Sequence, residues 1–463
     1  MQNYLTIIAV SYVLLGLGIV ALATGLWRRR AWWILIGTVL AAPACLLLSY
    51  LFWVAPVPAV LSILLVNGLS AWMLRRGWRT AGAVLLLPFA VLVLATVFTV
   101  PIRITDPSTT DVAVGDLDHD GDPDLVLARG HHSHHVDLVL LNDGKGRFEQ
   151  RNLSDIADSS FAVALADVTG DDNLDVIIGN DHQYPTVVYF ANPTAHFTFA
   201  GSVGDSAWNT RDVLLADFDA DGDPDLVVAN RDRPNQPGGT YLCLNDGRGS
   251  FSSCRLLLQE SATRIAAGDL TGDGAPDLVV PHGDRGQSYV LINDSQGGFG
   301  QRPLGPPRVS VGAVTLGDLD GDGRLDIVMA HQAGRAFAYL NRGGGEFSQG
   351  VPLGDKRDRV FSVELADLNR DGAADVVLGL GRQPLVLLLN EGKGGSFARV
   401  DVGDGDGNVW GLGVADFNGD GFPDIAAARV LAPNMIYLNT LNTTDWRGKN
   451  VNLPWHPLTG PVR

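Results

Sequence analysis

Two hydrophobic patterns divide the chain near residue 100. Residues 1–100 are almost continuously apolar, with no Asp or Glu and only six Arg, whereas the later residues alternate short apolar runs with Asp- and Gly-rich segments. Long apolar segments are typical of membrane helices, and short runs bounded by turn residues are typical of buried β-strands. The pattern predicts a helical domain over residues 1–103 and a β-domain over residues 104–463.

Four segments of the first domain are candidates for helices that cross a bilayer, which takes about 20 apolar residues. They run over residues 4–27, 31–54, 57–74 and 80–100, and the third is the shortest. Trp residues stand near their ends, as interfacial anchors do. The alternative is a buried four-helix core without a membrane, but such helices should present a polar face. We therefore expect four transmembrane α-helices.

The six Arg residues predict how these helices are oriented. Arg28, Arg29 and Arg30 lie between the first and second segments, and the other three lie between the third and fourth. Short Arg-bearing loops stay in the cytoplasm. The N-terminus and the β-domain are then expected on the outer side, periplasmic or extracellular, of a plasma or inner membrane. The first segment does not resemble a cleaved signal peptide, because its positive charges follow it.

The β-domain contains one nine-residue motif seven times, Asp-x-(Asp/Asn/Thr)-x-Asp-Gly-x-x-Asp, with one exception at the Gly. The start-to-start spacing is 49 to 52 residues. A Gly or Ala precedes each motif, an apolar run follows it, and a second apolar run ends near an Asn. These Asn residues are Asn142, Asn192, Asn245, Asn293, Asn341, Asn390 and Asn439.

Four short strands in each repeat of ~40–50 residues are the signature of a propeller blade. Seven repeats therefore predict an all-β seven-bladed β-propeller, preceded by the four transmembrane helices. A parallel β-helix has much shorter repeats, and an array of EF-hands needs flanking helices. The outer strand of the seventh blade stays open between residues 445–453 and residues 102–104.

The motif has the chemistry of a calcium loop. Hard cations take six to eight oxygen ligands, and side chains at positions 1, 3, 5 and 9 can converge on one point while a Gly at position 6 turns the chain. Turn formation by Asp and Gly alone is the alternative. The predicted ligands are Asp116, Asp118, Asp120, Asp124, Asp167, Thr169, Asp171, Asp175, Asp217, Asp219, Asp221, Asp225, Asp269, Thr271, Asp273, Asp277, Asp318, Asp320, Asp322, Asp326, Asp367, Asn369, Asp371, Asp375, Asp416, Asn418, Asp420 and Asp424.

The number of carboxylates ranks these loops. The loops that begin at Asp116, Asp217 and Asp318 have Asp at all four positions and should bind calcium most tightly. Loops with Asn or Thr at position 3 should bind more weakly. The loop at Asp167 should be the weakest, since Asp172 also replaces its Gly. We expect up to seven structural calcium ions, whereas magnesium disfavours all-protein sites.

Charge and cysteine content exclude several classes of protein. The net charge is −17, and all 51 acidic residues follow residue 100, which argues against nucleic-acid binding. Of these acids, 27 lie in the seven motifs, where metal would neutralise them. Three Cys exclude a disulfide-rich scaffold and a cysteine-based zinc site. Cys243 and Cys254 flank one turn and could pair in an exported domain, although strand register could also keep them apart.

The seven motifs make residues 107–440 resemble the FG-GAP/VCBS repeats of integrin α-subunit propellers and their bacterial relatives. The resemblance implies a seven-bladed propeller with calcium loops on one face and ligand binding on the opposite face. The family is best known for adhesion and recognition, and some relatives act on polysaccharides. Integrins have a single C-terminal membrane helix, so integrin partnership does not carry over to this chain.

The loops expected on the opposite face are rich in His, Arg and aromatic residues. They predict a cationic and aromatic cup, because Arg forks carboxylates and aromatic rings stack on sugars. An ordinary polar loop set is the alternative. The candidate ligand-binding residues are His131, His132, His182, Arg211, Arg231, Arg264, His282, His331, Arg359 and Trp410.

These features favour a membrane-anchored, extracytoplasmic calcium-binding propeller that recognises a glycan, a matrix component or a partner protein. The alternatives are a scaffold subunit of a membrane complex and a polysaccharide-acting enzyme that uses the His- and Arg-rich face. The chain has no Gly-x-Ser-x-Gly, His-Glu-x-x-His or Walker motif. No catalytic residue is therefore assigned.

Overall fold

The computed structural model describes residues 108–131, 133–181, 184–234, 238–295, 298–332, 334–392 and 396–439, and the backbone of 455–457. The predicted membrane helices and their domain, residues 1–103, lie outside the described residues. Within the part of the chain that is described, no helix is long and apolar enough to cross a membrane.

The described chain forms seven antiparallel sheets, each made of four consecutive strands. The first four sheets contain β1 Thr109–Gly115, β2 Asp124–Arg129, β3 His135–Asn142, β4 Phe148–Asp158; β5 Ser160–Ala166, β6 Asp175–Asn180, β7 Thr186–Phe190, β8 Thr198–Val203; β9 Thr210–Ala216, β10 Asp225–Asn230, β11 Gly239–Cys243, β12 Cys254–Leu258; β13 Ala266–Gly268, β14 Asp277–Val280, β15 Ser288–Asn293, β16 Phe299–Leu304. The last three contain β17 Val311–Gly317, β18 Asp326–His331, β19 Ala336–Tyr339, β20 Val351–Leu353; β21 Val360–Ala366, β22 Asp375–Leu380, β23 Leu385–Asn390, β24 Phe397–Val402; β25 Asn408–Ala415, β26 Asp424–Val430, β27 Met435–Tyr437, β28 Trp455–Pro457.

The seven sheets are the blades of a closed ring. The first strand of each blade contacts the first strands of both neighbouring blades, and β1 contacts β25. The first strands therefore surround the axis, and the fourth strands lie at the rim. The seven-bladed β-propeller predicted from the repeats is confirmed.

The seventh blade takes its outer strand from a segment that the sequence did not indicate. Trp455–Pro457 pairs antiparallel with Met435–Tyr437, so the expectation of residues 445–453 or 102–104 at this position was wrong. The strand comes from the C-terminal side, beyond the first of those two segments. A three-residue strand is too short to show a period of two.

The hydrophobic core consists of seven clusters, each between two neighbouring blades. In the first blade, Leu125 and Leu127 pack against the seventh blade, whereas Val126 and Ala128 pack against the second. Both faces of each second strand are therefore buried, which explains its continuous apolar run. Crowding also explains the small residue before each motif, since a Cβ on Gly115 would lie 2.6 Å from a Leu174 methyl carbon.

Amide side chains join neighbouring blades at six of the seven boundaries. The Asn at the end of a third strand donates through Nδ2 to the carbonyl of motif position 2 in the preceding blade. The bond from Asn142 to the Phe417 carbonyl, 2.9 Å long, joins the first blade to the seventh and helps to close the ring. The donors are Asn142, Asn245, Asn293, Asn341, Asn390 and Asn439.

The second blade is the exception. Ala191 occupies the equivalent position, since its N–H bonds to Asp175 as the Asn residues bond in the other blades. Asn192 lies one residue further along and instead accepts N–H groups from Thr194 and His196 within its own turn. The sequence therefore placed this Asn in the repeat pattern with a register error of one residue.

We predict that Asn142→Ala lowers the free energy of unfolding by about 1–3 kcal/mol, since it removes two hydrogen bonds, to the Pro123 and Phe417 carbonyls, of about 0.5–1.5 kcal/mol each. Asn192→Ala is the matched control and should change it by less than about 0.5 kcal/mol. Urea denaturation of the full chain checks both values. Equal effects of the two substitutions would contradict the role of Asn142 in ring closure.

Candidate metal-binding loops and ligand-binding face

Each nine-residue motif forms the loop between the first and second strands of its blade. In every loop, the Asp at position 1 accepts the N–H of position 6. The Asp at position 5 accepts the N–H of position 7. These bonds fold the seven loops alike and turn the carboxylates of each loop inward.

The Asp at position 9 is the first residue of the second strand, and it is fully buried in all seven blades. One carboxylate oxygen accepts the N–H of position 2. The other accepts an N–H from the end of the third strand. In the first blade, Asp124 makes these bonds to Leu117 and Asn142 at 2.9 and 2.7 Å. This Asp therefore connects three parts of its blade.

Burial raises the pKa of all seven position-9 carboxyl groups, and the backbone N–H bonds only partly oppose it. The other carboxylates of each loop repel the negative charge and raise the pKa further. It reaches about 6 for Asp124, Asp175, Asp225 and Asp375, and about 7 for Asp424. A bound cation would stabilise the charged form of these groups.

Three loops bring three carboxylates close enough to hold one metal ion. One oxygen from each residue lies within 4.8 Å of the other two in the sets Asp116–Asp118–Asp124, Asp217–Asp219–Asp225 and Asp318–Asp320–Asp326. These are the three loops that the carboxylate count ranked highest.

Unpartnered oxygens support a cation in these loops. Among the described residues, Oδ1 of Asp116, Asp118 and Asp219 is buried without a hydrogen-bond partner. Burial and repulsion from neighbouring carboxylates raise the pKa of Asp118 and Asp219. Buried oxygens of this kind are rare unless an ion or water contacts them, so the donor set fits a hard cation.

The two loops with Thr at position 3 accommodate their charge differently. Burial acts to raise the pKa of Asp167, but four backbone N–H groups of its own loop together lower it. Asp269 shows the same balance. The Thr169 hydroxyl lies 3.4 Å from Asp167, whereas the Thr271 hydroxyl is buried without a partner among the described residues. The polar side chains of the loop at Asp167 thus find more of their hydrogen-bond partners within the loop than those of the loop at Asp269.

Asp172 keeps the loop geometry although it replaces the Gly at position 6. Its φ is 67°, in the left-handed region that the Gly residues of the other loops also adopt. Asp tolerates this region better than most side chains, and its N–H still bonds to Asp167 at 2.7 Å. The exchange changes the composition of the loop and leaves its fold intact.

The opposite face carries a chain of ring contacts across five blades. The Arg211 guanidinium lies 3.9 Å from the centroid of the Phe161 ring. His131 contacts Phe161 at 6.0 Å and Trp410 at 4.9 Å, and Trp410 contacts Phe361 at 5.4 Å between centroids. The Trp410 Nε1 is buried without a partner among the described residues. We call these five residues the aromatic arc.

Ion pairs neutralise several of the predicted cationic residues. Arg211 and Arg233 share Asp181, which is 3% exposed, and Arg231 grips Asp284 with its Nε and Nη2 atoms. Arg211, Arg231, Arg233 and Asp284 line a depression of about 420 Å³ together with Asn209, Asp232 and Pro234. We call it the arginine pocket.

His282 lies beside this group. It contacts Glu260 at 3.0 Å, and its Nδ1 accepts the N–H of Asp284.

Arg264 occupies the axis of the ring. It contacts Asp111 and Asp212 at 3.1 and 3.2 Å and donates to the Trp410 carbonyl, so it joins four blades. Burial raises the pKa of the adjacent Glu364 to about 7, against the attraction of Arg264 and with repulsion from the two Asp. These contacts give Arg264 a structural role, so no bound ligand is needed to explain it.

The other candidates lie apart from the pocket. His331 stacks on Phe337 with 4.4 Å between ring centroids, and burial lowers its pKa. Arg359 is exposed in the loop before β21. His132 and His182 lie outside the described residues.

Cys243 and Cys254 face each other on paired strands and form a disulfide. It joins the third and fourth strands of the third blade. The sequence left this pairing open because spacing alone does not fix strand register.

The sequence reasoning missed the acidic partners of these arginines. Asp111 and Asp212 stand five residues before the first motif Asp of their repeats, the position that Arg264 occupies in its own repeat. That shared position was a readable signal for an axial ion cluster. Asp181 and Asp284 gave no such signal, because neither stands at the same repeat position as its arginine partner.

Known folds resemble this propeller. BBS1N, solved in a complex with ARL6DN, is 12% identical, with a TM-score of 0.51 over 76% of this chain and 97% of that chain. The BP39L lectin from Burkholderia pseudomallei is 12% identical, with a TM-score of 0.55 over 77% and 99%. At this identity the likeness extends to the fold alone. No curated protein matched the chain significantly.

A family model described as FG-GAP-like repeat matches residues 116–178, 167–228, 217–280, 269–329, 318–378 and 374–427. These six matches together cover more than half of the chain and include all seven motifs. The chain belongs to the FG-GAP-like repeat family.

Proposed function

We propose that this protein is a membrane-anchored calcium-binding propeller that recognises a ligand outside the cytoplasm. The observation that carries the proposal is the set of three Asp triads, two of which contain buried oxygens without a hydrogen-bond partner among the described residues. Such triads serve no evident purpose in a loop that only turns the chain. They suit a cation that makes the rigid ring a stable platform for binding.

Calcium is the cation that fits best. All side-chain donors are oxygens, and calcium accepts many carboxylate and carbonyl ligands in flexible geometry. Magnesium retains several waters and disfavours sites made of protein alone. We propose up to seven structural ions, bound most tightly in the first, third and fifth blades and most weakly at Asp167.

The proposed ligand surface is the face opposite the calcium loops. It carries the aromatic arc and the arginine pocket, in which polar and aromatic groups lie side by side. The fold neighbours include a propeller crystallised with a protein, ARL6DN, and a lectin. Both a protein and a glycan are therefore reasonable ligand classes, and the first also supports a scaffold role as the second candidate function.

Anchoring through the first domain completes the proposal. The four apolar segments and the six Arg between them favour a propeller on the outer side of the membrane. Millimolar calcium outside cells would suit loops of this type.

We predict that calcium titration of the full chain reveals a tight class of three sites. Asp219→Asn should remove one of them and reduce the stabilisation by calcium, because it deletes a triad carboxylate. Asp223→Asn makes the same charge change in the same loop outside the triad and should leave three sites. Isothermal titration calorimetry checks the counts, and identical titrations of the two variants would contradict the assignment.

We predict that protease added to cells without an outer membrane, or to spheroplasts of cells that have one, cleaves the propeller and leaves the first domain in the membrane. The expected product is a membrane-bound fragment of roughly 100 residues, since four spans shield it. Immunoblotting with a tag inserted in the loop at residues 28–30, which the proposed topology places in the cytoplasm, checks its size. A propeller protected until the cells are lysed would refute the proposed topology.

We predict that the full chain, in a detergent without sugar headgroups, binds members of a glycan and matrix-protein array in calcium. Chelation should weaken binding because the loops lose their charge compensation. A silent array from a folded, calcium-loaded protein would contradict recognition of these classes. Stoichiometric recovery of a membrane protein with the chain would then favour the scaffold function.

A further inference from the structure

The seven blades provide internal controls for the arginine pocket. Arg211 stands six residues before the first motif Asp, inside the mouth of the ring, and no other blade has a cationic residue there. The equivalent residues are Thr110, Phe161, Thr263, Gly312, Phe361 and Trp410. The propeller therefore forms without an arginine at this position, and a buried arginine in the third blade calls for a reason beyond folding.

Arg231 is also specific to the third blade. Its backbone N–H donates to the carbonyl of Asn209, which stands eight residues before Asp217, the first motif Asp of the third blade. The same backbone bond identifies the counterparts of Arg231 in other blades. These counterparts are Gly130, Asp181, Gly283, Gln332 and Gly381. Arg211 and Arg231 thus stand at positions where none of these counterparts in other blades carries a positive charge.

The arginines of the pocket have N–H groups that the two paired Asp do not engage. The two Asp that pair with them engage Nη1 of Arg211, Nε and Nη2 of Arg231, and Nη2 of Arg233. The remaining N–H-bearing nitrogens of the three guanidinium groups have no partner among the described residues. Asp181 and Asp284 pair directly with the three arginines, whereas Asp232, which also lines the depression, attracts Arg231 and accepts the N–H of Gly238.

Arg211 is repelled by the other two arginines of the pocket. Burial lowers its pKa to about 10, Asp181 opposes the shift, and Arg231 and Arg233 add to it by repulsion. An anion in the pocket would relieve that repulsion. The depression, about 420 Å³ in volume, is within the range of about 300–1,000 Å³ for small-molecule sites.

We propose that the arginine pocket binds the carboxylate of an acidic sugar, held by the free edges of Arg211, Arg231 and Arg233. The inference rests on the proposed function, since it names the ligand chemistry of the same face. The aromatic arc begins at Arg211, which covers the buried Phe161 ring, so a sugar ring bound through its carboxylate would lie toward the half-buried His131, against which its apolar face can pack.

The overall charge of the chain decides between kinds of anion. A net charge of −17 repels long polyanions and disfavours a doubly charged phosphate relative to a singly charged carboxylate. Arg presents a planar fork that matches a carboxylate with two hydrogen bonds. A monomeric or terminal uronic acid therefore fits better than a sulfated polymer.

The test is a titration of the full chain, loaded with calcium in a detergent without sugar headgroups, with glucuronate and galacturonate. Methyl glucuronate ester is the matched ligand control, because it keeps the ring and removes the charge. We expect at least one of the two acids to bind about tenfold more tightly than its uncharged counterpart. Equal binding of acid and ester, or no binding of either acid, would overturn the proposal. Tighter binding of glucose 6-phosphate would assign the pocket to phosphate instead.

Two variants locate the site. Arg231→Gln and Arg233→Gln should each weaken uronate binding about tenfold, since each removes a charged donor. Arg382→Gln makes the same charge change in an exposed loop of the sixth blade on the same face and should leave binding unchanged. Calcium stoichiometry and the unfolding midpoint verify that each variant is folded. Undiminished binding by both folded pocket variants would contradict the site.

The outcomes separate this inference from the proposed function. Array binding that excludes uronates and survives Arg231→Gln would refute the pocket and leave ligand recognition intact. A silent array together with absent uronate binding would refute both.

Discussion

The propeller depends on one buried carboxylate in each blade. The Asp at motif position 9 accepts N–H groups from both the loop and the third strand, so it fixes the first three strands against one another. Removing it would leave two buried N–H groups without a partner, each with a penalty of about 1–3 kcal/mol. Neutral Asn could accept only through one oxygen, since its amide nitrogen is a donor. The carboxylate, repeated seven times, therefore sets the geometry of the whole ring.

That constraint has an electrostatic consequence which links the fold to metal binding. The same Asp lies beside two or three further carboxylates, and burial opposes its ionisation. A loop can resolve the conflict by proton uptake, by its own N–H groups or by a cation. The loop at Asp167 relies on N–H groups, whereas the triads that begin at Asp116 and Asp217 present oxygens that those groups do not reach. Loops of one shape thus differ in their need for an ion.

The repeats made the fold and the loop ligands accessible from sequence, because a seven-fold pattern exposes what every blade needs. Contacts between blades were less accessible. The repeated Asn was visible, but its bond to the preceding blade depends on how blades pack, and Asn192 lies one residue from the register. The sequence indicated the arginines of this face but not their ion-pair partners, since Asp181 and Asp284 belong to the repeats on either side of the arginines that they contact. Trp455–Pro457 is too short to carry a pattern at all.

Repetition also separates structural from functional residues on the face opposite the loops. A residue that is the same in all seven blades is needed to form the ring, as the Asp at motif position 9 is. Arg264 has a structural explanation although it is unique, since it joins four blades at the axis. Arg211 and Arg231 are unique without joining distant blades, and they place guanidinium groups where none of the counterparts compared carries a positive charge. An electrostatic strain confined to one blade of a symmetric scaffold is best understood as a feature retained for a ligand.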